Sequence, residues 1–134
     1  SGLPAFLITE SGLHSGFMMH QVTQASLVSY NKILGHPATL DSIPTSGNQE
    51  DFVSMAMNSA LKLMDIYDNT KKILAIELIL AAQAIEISGI ENTSSYTRKV
   101  MRKIREFVPF LREDRFMLDE MEKIEELLER PLAD

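Results

Sequence analysis

Ile73-Leu74-Ala75-Ile76-Glu77-Leu78-Ile79-Leu80-Ala81-Ala82-Gln83-Ala84-Ile85-Glu86-Ile87 is the most apolar stretch of the chain, and it separates two structural classes. A membrane span needs ~20 predominantly apolar residues with few or no charges. Here Glu77, Gln83 and Glu86 interrupt the run, which marks a helix of a bundle instead. The pattern extends back to Lys71 and forward to Ser88-Gly89, where glycine is a natural helix stop. Upstream of a polar patch at Asp68-Asn69-Thr70, the residues Phe52, Met55, Ala56, Leu63, Ile66 and Tyr67 carry a helical pattern too. Periodicity leaves open whether this is one helix of ~60 Å or two helices broken near Asp68.

The stretch leading into that helix is polar: Asp41-Ser42-Ile43-Pro44-Thr45-Ser46-Gly47-Asn48-Gln49-Glu50-Asp51-Phe52-Val53-Ser54-Met55. Pro44 and Gly47 oppose regular structure. Ser46 and Gln49 have the S-x-x-Q spacing of a capping box, which predicts a helix start near Asn48. Glu50 and Asp51 then fall in the first turn, where the helix dipole favours ionised carboxylates. Glu50 is the best single candidate for chemistry, as a carboxylate that receives an ammonium, orients a polar ring or moves a proton. On residue physics alone the structural role at the helix start is favoured, and Asp51 fills it equally well.

Ahead of this loop, residues 11 to 31 contain no charge and no proline. Leu13, Phe17, Met18, Val22, Ala25, Val28 and Ile33 fit helical faces, and Gly35-His36-Pro37 ends the pattern. A solvent-facing helix shows Lys and Glu on its outer stripe, so this uncharged one is expected to be enclosed by protein. A chain of 134 residues has difficulty enclosing it unaided, which points to missing partners. The opening Ser1-Gly2-Leu3-Pro4 reads as a broken-off or artificial beginning.

Beyond Gly89, Glu91-Asn92-Thr93-Ser94-Ser95 is a connector rich in N-cap candidates. Tyr96 to Phe107 reads as a basic amphipathic helix ended by Pro109, and Asp114 to Arg130 as an acidic one. Their opposite charges suggest a complementary, solvent-exposed hairpin. The basic run is read as a solvated face in preference to an anion patch. No strand pattern and no internal repeat stands out, so the expected class is all-α.

Composition narrows the function. The net charge of −6 and pI near 5.0 exclude general nucleic-acid binding, since nothing neutralises a phosphate backbone overall. The chain has no cysteine, which removes disulfides, thiolate metal sites and cysteine nucleophiles and suits a cytoplasmic protein. Its eight methionines lie mostly at core spacing and read as filler. His14, His20 and His36 stand in no metal-ligand spacing, so no metal site is expected. There is no G-x-S-x-G, phosphate-binding glycine loop or dinucleotide fingerprint.

A series of segments adds to this reading. Leu3-Pro4-Ala5-Phe6-Leu7, Gly12-Leu13-His14-Ser15-Gly16-Phe17-Met18, Gln21-Val22-Thr23, Ser29-Tyr30-Asn31-Lys32, His36-Pro37-Ala38 and the whole of Asp41 to Met55 occur in order. Together they resemble the C-terminal part of the histidine ammonia-lyases, in the aromatic amino acid ammonia-lyase family. The resemblance is most specific from Leu3 to Met55 and generic beyond about Ile90. It implies an all-α, long-helix bundle: residues 1–90 supply central-bundle helices with an active-site loop at 41–55, and residues 91–134 a C-terminal helical hairpin. It also implies a homotetramer whose active sites are shared between subunits, and an amino-acid substrate. The family's electrophile, a methylidene-imidazolone (MIO), forms from an internal Ala-Ser-Gly; this chain has none, so the cofactor is expected in a missing N-terminal portion.

By the same resemblance Glu50 matches the family's active-site glutamate, as a catalytic and substrate-binding group, with Gln49 and Asn48 as pocket-wall residues. The implied activity is conversion of L-histidine to urocanate and ammonia by the complete enzyme, with this chain inactive alone. Three departures stand out: His14 where the family usually has Asn, Tyr30 where Ser-Glu-Asn-Lys is common, and Phe52 where histidine lyases commonly have His. The Phe52 change leaves tyrosine or another aromatic substrate, or an aminomutase reaction, open. A non-catalytic helical scaffold is the remaining alternative.

Overall fold

A computed structural model of the chain describes residues 2–132. Residues 1, 133 and 134, at the two ends of the expected segments, lie outside the described residues. Four helices carry the fold: α1 (Met18–Leu34), α2 (Ala56–Ser88), α3 (Ser95–Phe107) and α4 (Leu118–Leu127). Among the described residues there is no strand, only one isolated bridge between Thr45 and Glu50. Among the described residues no helix is long and apolar enough to cross a membrane.

The long apolar pattern forms one helix, not two. α2 has 33 residues, ~50 Å of helix, and passes through Asp68-Asn69-Thr70 without a break. Thr70 keeps its hydroxyl within the helix, donating to the Ile66 carbonyl at 2.6 Å. α2 ends at Gly89, whose φ of 99° is a conformation that side chains avoid. α1 runs antiparallel to it: Gln24 donates to the Ile73 carbonyl at 3.0 Å, and Asn69 to the Asn31 side chain at 2.9 Å. The uncharged polar residues of α1 therefore bond partly to α2. Still, no residue of α1 is buried by this chain.

Burial concentrates on the second half of α2. Ala75, Ile76, Ile79, Ala82 and Gln83 are buried there. Ala75, Ile79 and Ala82 join Ile8 and Phe17 from before α1, Met101 and Ile104 from α3, Val108, Leu111 and Met117 from the connector, and Ile124 from α4 in one core. Gln83 is the polar member of this interior. Its amide nitrogen donates to the Leu7 and Leu111 carbonyls at 3.1 and 2.9 Å, and its oxygen accepts from the Leu111 N–H at 3.1 Å. The first half of α2 is different: Met57, Leu61, Leu63, Met64 and Tyr67 are exposed.

The terminal helices form as their patterns predict, with one shortened. Ser94 caps α3, accepting from the Thr97 N–H at 3.1 Å. The acidic helix begins at Leu118 and not at Asp114. Asp114 is occupied elsewhere: its two oxygens accept from the Ser15 and Gly16 N–H groups, each at 2.8 Å. Ion pairs tie this region to α2, Arg105 of α3 to Glu86 at 2.7 Å and Glu129, just after α4, to Lys71 at 2.5 Å.

Candidate active site

The predicted capping box at Ser46 and Gln49 does not form, and no helix starts at Asn48. An N-cap residue has extended φ/ψ. Ser46, Gly47 and Asn48 instead have φ of 53°, 65° and 68°, a left-handed turn. Such backbone is easy for glycine, tolerable for asparagine and costly for serine, of order 1 kcal/mol. α2 begins only at Ala56, so Glu50 and Asp51 lie ahead of the helix and outside its first turn. No helix start at Asn48 supports the Glu50 charge.

The loop's own side chains supply what holds it. At its base, the Ser42 hydroxyl accepts from the Val53 N–H at 2.8 Å and donates to the Val53 carbonyl at 3.1 Å. Nearer the tip, the Thr45 N–H donates to the Glu50 carbonyl at 2.9 Å, and the Thr45 carbonyl accepts from Asn48 at 3.0 Å and Glu50 at 3.4 Å. These bonds commit the backbone that a helix start at Asn48 would need. The Thr45 hydroxyl also donates to Glu50 Oε2 at 2.9 Å, and Ser46 Oγ stands 3.5 Å from the same oxygen. Both contacts fall on Oε2, and among the described residues no hydrogen bond falls on Oε1.

Asn48, Gln49 and Glu50 are all exposed on this turn. Beside them lies an open cavity of about 390 Å³, walled by residues 39–42 and 51–55. Phe52 is in that wall with its side chain 83% exposed. Glu50 is brought to the cavity's edge, not into its lining. Thr45 and Ser42 are the residues that sequence reading missed. Their polar spacing was visible in the loop, but bonds across five and eleven positions have no local pattern.

No histidine is in the wall of this cavity. His20, on α1, meets the Phe17 ring edge-on at 5.1 Å, and its Nδ1 is buried without a partner. Burial holds its pKa below the usual histidine value, Arg115 adds to this, and Glu120 opposes it. His36 accepts through its carbonyl from Lys62 Nζ across the α1–α2 connection.

This helical arrangement is shared with solved lyases and aminomutases. The chain superposes on histidine ammonia-lyase from Trypanosoma cruzi with a TM-score of 0.89 at 42% identity, over 95% of this chain and 25% of that one. On tyrosine aminomutase from Streptomyces globisporus the TM-score is 0.88 at 40% identity, over 95% of this chain and 24% of that one. The family model for aromatic amino acid lyases matches residues 1–106, and the chain belongs to that family. Among curated relatives, histidine ammonia-lyase of Natranaerobius thermophilus is 51% identical over 127 residues, which is 95% of this chain and 25% of that protein. The chain thus spans about a quarter of the length of the relatives it matches.

Proposed function

We propose that this chain is the C-terminal segment of a histidine ammonia-lyase-like enzyme, which converts L-histidine to urocanate and ammonia in the cytoplasm. In this reading residues 1–90 give bundle helices and one wall of the active site, and residues 91–134 the hairpin that braces them. The observation that carries it is the identity of 51% to a histidine ammonia-lyase over nearly the whole chain. The loop geometry adds a reason why this part would matter: Glu50 is presented with one oxygen held and the other open.

The residues present do not provide the family's electrophile. No Ala-Ser-Gly occurs, and in Thr45-Ser46-Gly47 the threonine is extended while Ser46 and Gly47 open the left-handed turn beside Glu50. Any methylidene-imidazolone therefore belongs to residues outside this chain. Glu50 would hydrogen-bond the polar ring of the substrate or exchange a proton with it. Asn48 and Gln49, on the same turn, would complete the polar rim. The exposed faces of α1 and the first half of α2 are expected to be covered by the remaining lyase sequence and by other subunits of a tetramer.

The test is turnover followed by urocanate absorbance. The chain alone should be silent, and activity should appear when an Ala-Ser-Gly-bearing portion is supplied. In the complete protein, Glu50→Gln should lower histidine turnover by at least about 10²-fold; an unchanged rate overturns the role of Glu50. Phe52 favours a second reading, in which its exposed ring receives an aromatic substrate such as tyrosine. Turnover of tyrosine in preference to histidine would select it. A scaffold without chemistry predicts a stable assembly and no turnover of either.

A further inference from the structure

We propose that Thr45 is the positioning residue for the Glu50 carboxylate, acting through its hydroxyl rather than through the loop backbone. This rests on the reading of Glu50 as an active-site group. Thr45 meets Glu50 by two separable routes. Its main chain forms the bridge, N–H to the Glu50 carbonyl at 2.9 Å and carbonyl from the Glu50 N–H at 3.4 Å. Its Oγ1 donates independently to Glu50 Oε2 at 2.9 Å.

The second route has a consequence the first lacks. A glutamate side chain has three rotatable bonds, and an exposed one samples several rotamers. Glu50 is exposed, so the bridge alone leaves its carboxylate free to swing. The hydroxyl bond selects one arrangement, in which Oε2 is occupied and Oε1 is left without a hydrogen bond among the described residues. Thr45 suits this better than its neighbour Ser46 for two reasons. A β-branched side chain is stiff at χ1, so the hydroxyl direction is largely set by the backbone. Thr45 is also partly buried, whereas Ser46 is exposed and its hydroxyl lies at 3.5 Å, the outer limit of a hydrogen bond.

The experiment uses the full-length lyase that carries this segment, with kcat and KM measured for histidine and for tyrosine. Thr45→Val keeps the shape and both main-chain bonds and removes only the hydroxyl. It should lower kcat about 10- to 100-fold, the scale on which a misplaced group costs rate, with KM changed less than about threefold. Thr45→Ser should return kcat to within about threefold of the parent. On the residual rate of Glu50→Ala, adding Thr45→Val should change kcat by less than about twofold, since the hydroxyl then has nothing to hold.

Loss of rate in Glu50→Ala with a parental rate in Thr45→Val overturns the positioning role and leaves the site reading standing. A parental rate in Glu50→Ala overturns the site reading itself. A Thr45→Val effect that persists in the Glu50→Ala background, or that serine fails to rescue, assigns Thr45 to loop architecture and overturns the proposal. Failure of both Thr45→Val and Thr45→Ala to fold does the same.

Discussion

Asp114 closes the turn before α1 from 98 residues away: its Oδ1 accepts from the Gly16 N–H at 2.8 Å, while its Oδ2 takes the Ser15 N–H at the same distance. The next N–H, of Phe17, goes to the Phe6 carbonyl at 3.0 Å. Three consecutive donors are thereby satisfied by acceptors from two remote segments. These two backbone bonds hold the Asp114 pKa below its usual value, with His14 nearby adding to the effect. A depressed carboxylate pKa means stability that is present above the ordinary value of ~3.9 and lost as pH falls through the lower, folded value. Asp114→Asn should therefore destabilise the complete protein at neutral pH and flatten its loss of stability in the acid range. Denaturant midpoints of parent and variant, compared across pH, check this. His20 acts at higher pH, because the neutral form of its half-buried ring is favoured and its contribution is lost as pH falls below ~6.5.

Gly16 is the other half of that clasp. Its φ is 53°, and a Cβ added there would meet the Phe6 carbonyl oxygen at 2.6 Å and Ile8 Cγ2 at 2.9 Å. Backbone cannot yield as a side-chain tip can, so Gly16→Ala should cost about 1–3 kcal/mol through both strain and contact. Gly12, with open space around its Cβ position, is the control, and Gly12→Ala should be nearly neutral. Thermal or denaturant unfolding of the two variants separates them; equal effects would remove the packing explanation.

Gln83 should behave as a buried polar hub. Its amide satisfies Leu7 and both main-chain groups of Leu111. Gln83→Leu keeps roughly the volume but strands those groups in the interior, at about 1–3 kcal/mol for each left unsatisfied. A loss of at least about 2 kcal/mol in unfolding free energy is expected. A neutral or stabilising effect would show that water or a rearranged connector satisfies them instead.

These contacts also explain how far the chain could be read before its structure. Gly35, Gly89 and Ser94 act on their immediate neighbours, so the ends of α1 and α2 and the start of α3 were legible. The apolar run from Ile73 to Ile87 was legible as a bundle helix because its burial follows its own periodicity. The start of α2 was misread for the opposite reason. The S-x-x-Q spacing at Ser46 is a local signal, and it is overridden by Ser42 reaching Val53 and Thr45 reaching Glu50. Asp114 reads as the first residue of an acidic helix until Ser15 and Gly16 are seen beside it. Glu50 itself stood out, whereas the hydroxyl that holds it did not.

The uneven burial of α2 yields a last prediction about what surrounds it. Ile79 is fully buried within this chain, so Ile79→Ala should cost about 2–5 kcal/mol in any context where the chain folds. Met64, one half of the helix away, is exposed along with Leu61, Leu63 and Tyr67. In the chain alone, Met64→Ala should change stability by no more than about 0.5 kcal/mol. If the remaining lyase sequence and other subunits cover this face, the same substitution in the complete protein should approach the cost of a core truncation and weaken assembly. Unfolding measured at several protein concentrations, with sedimentation of the native state, distinguishes the two. A Met64→Ala variant that is neutral in both contexts would mean that this half of α2 meets solvent, and the enclosing assembly would have to be sought along α1.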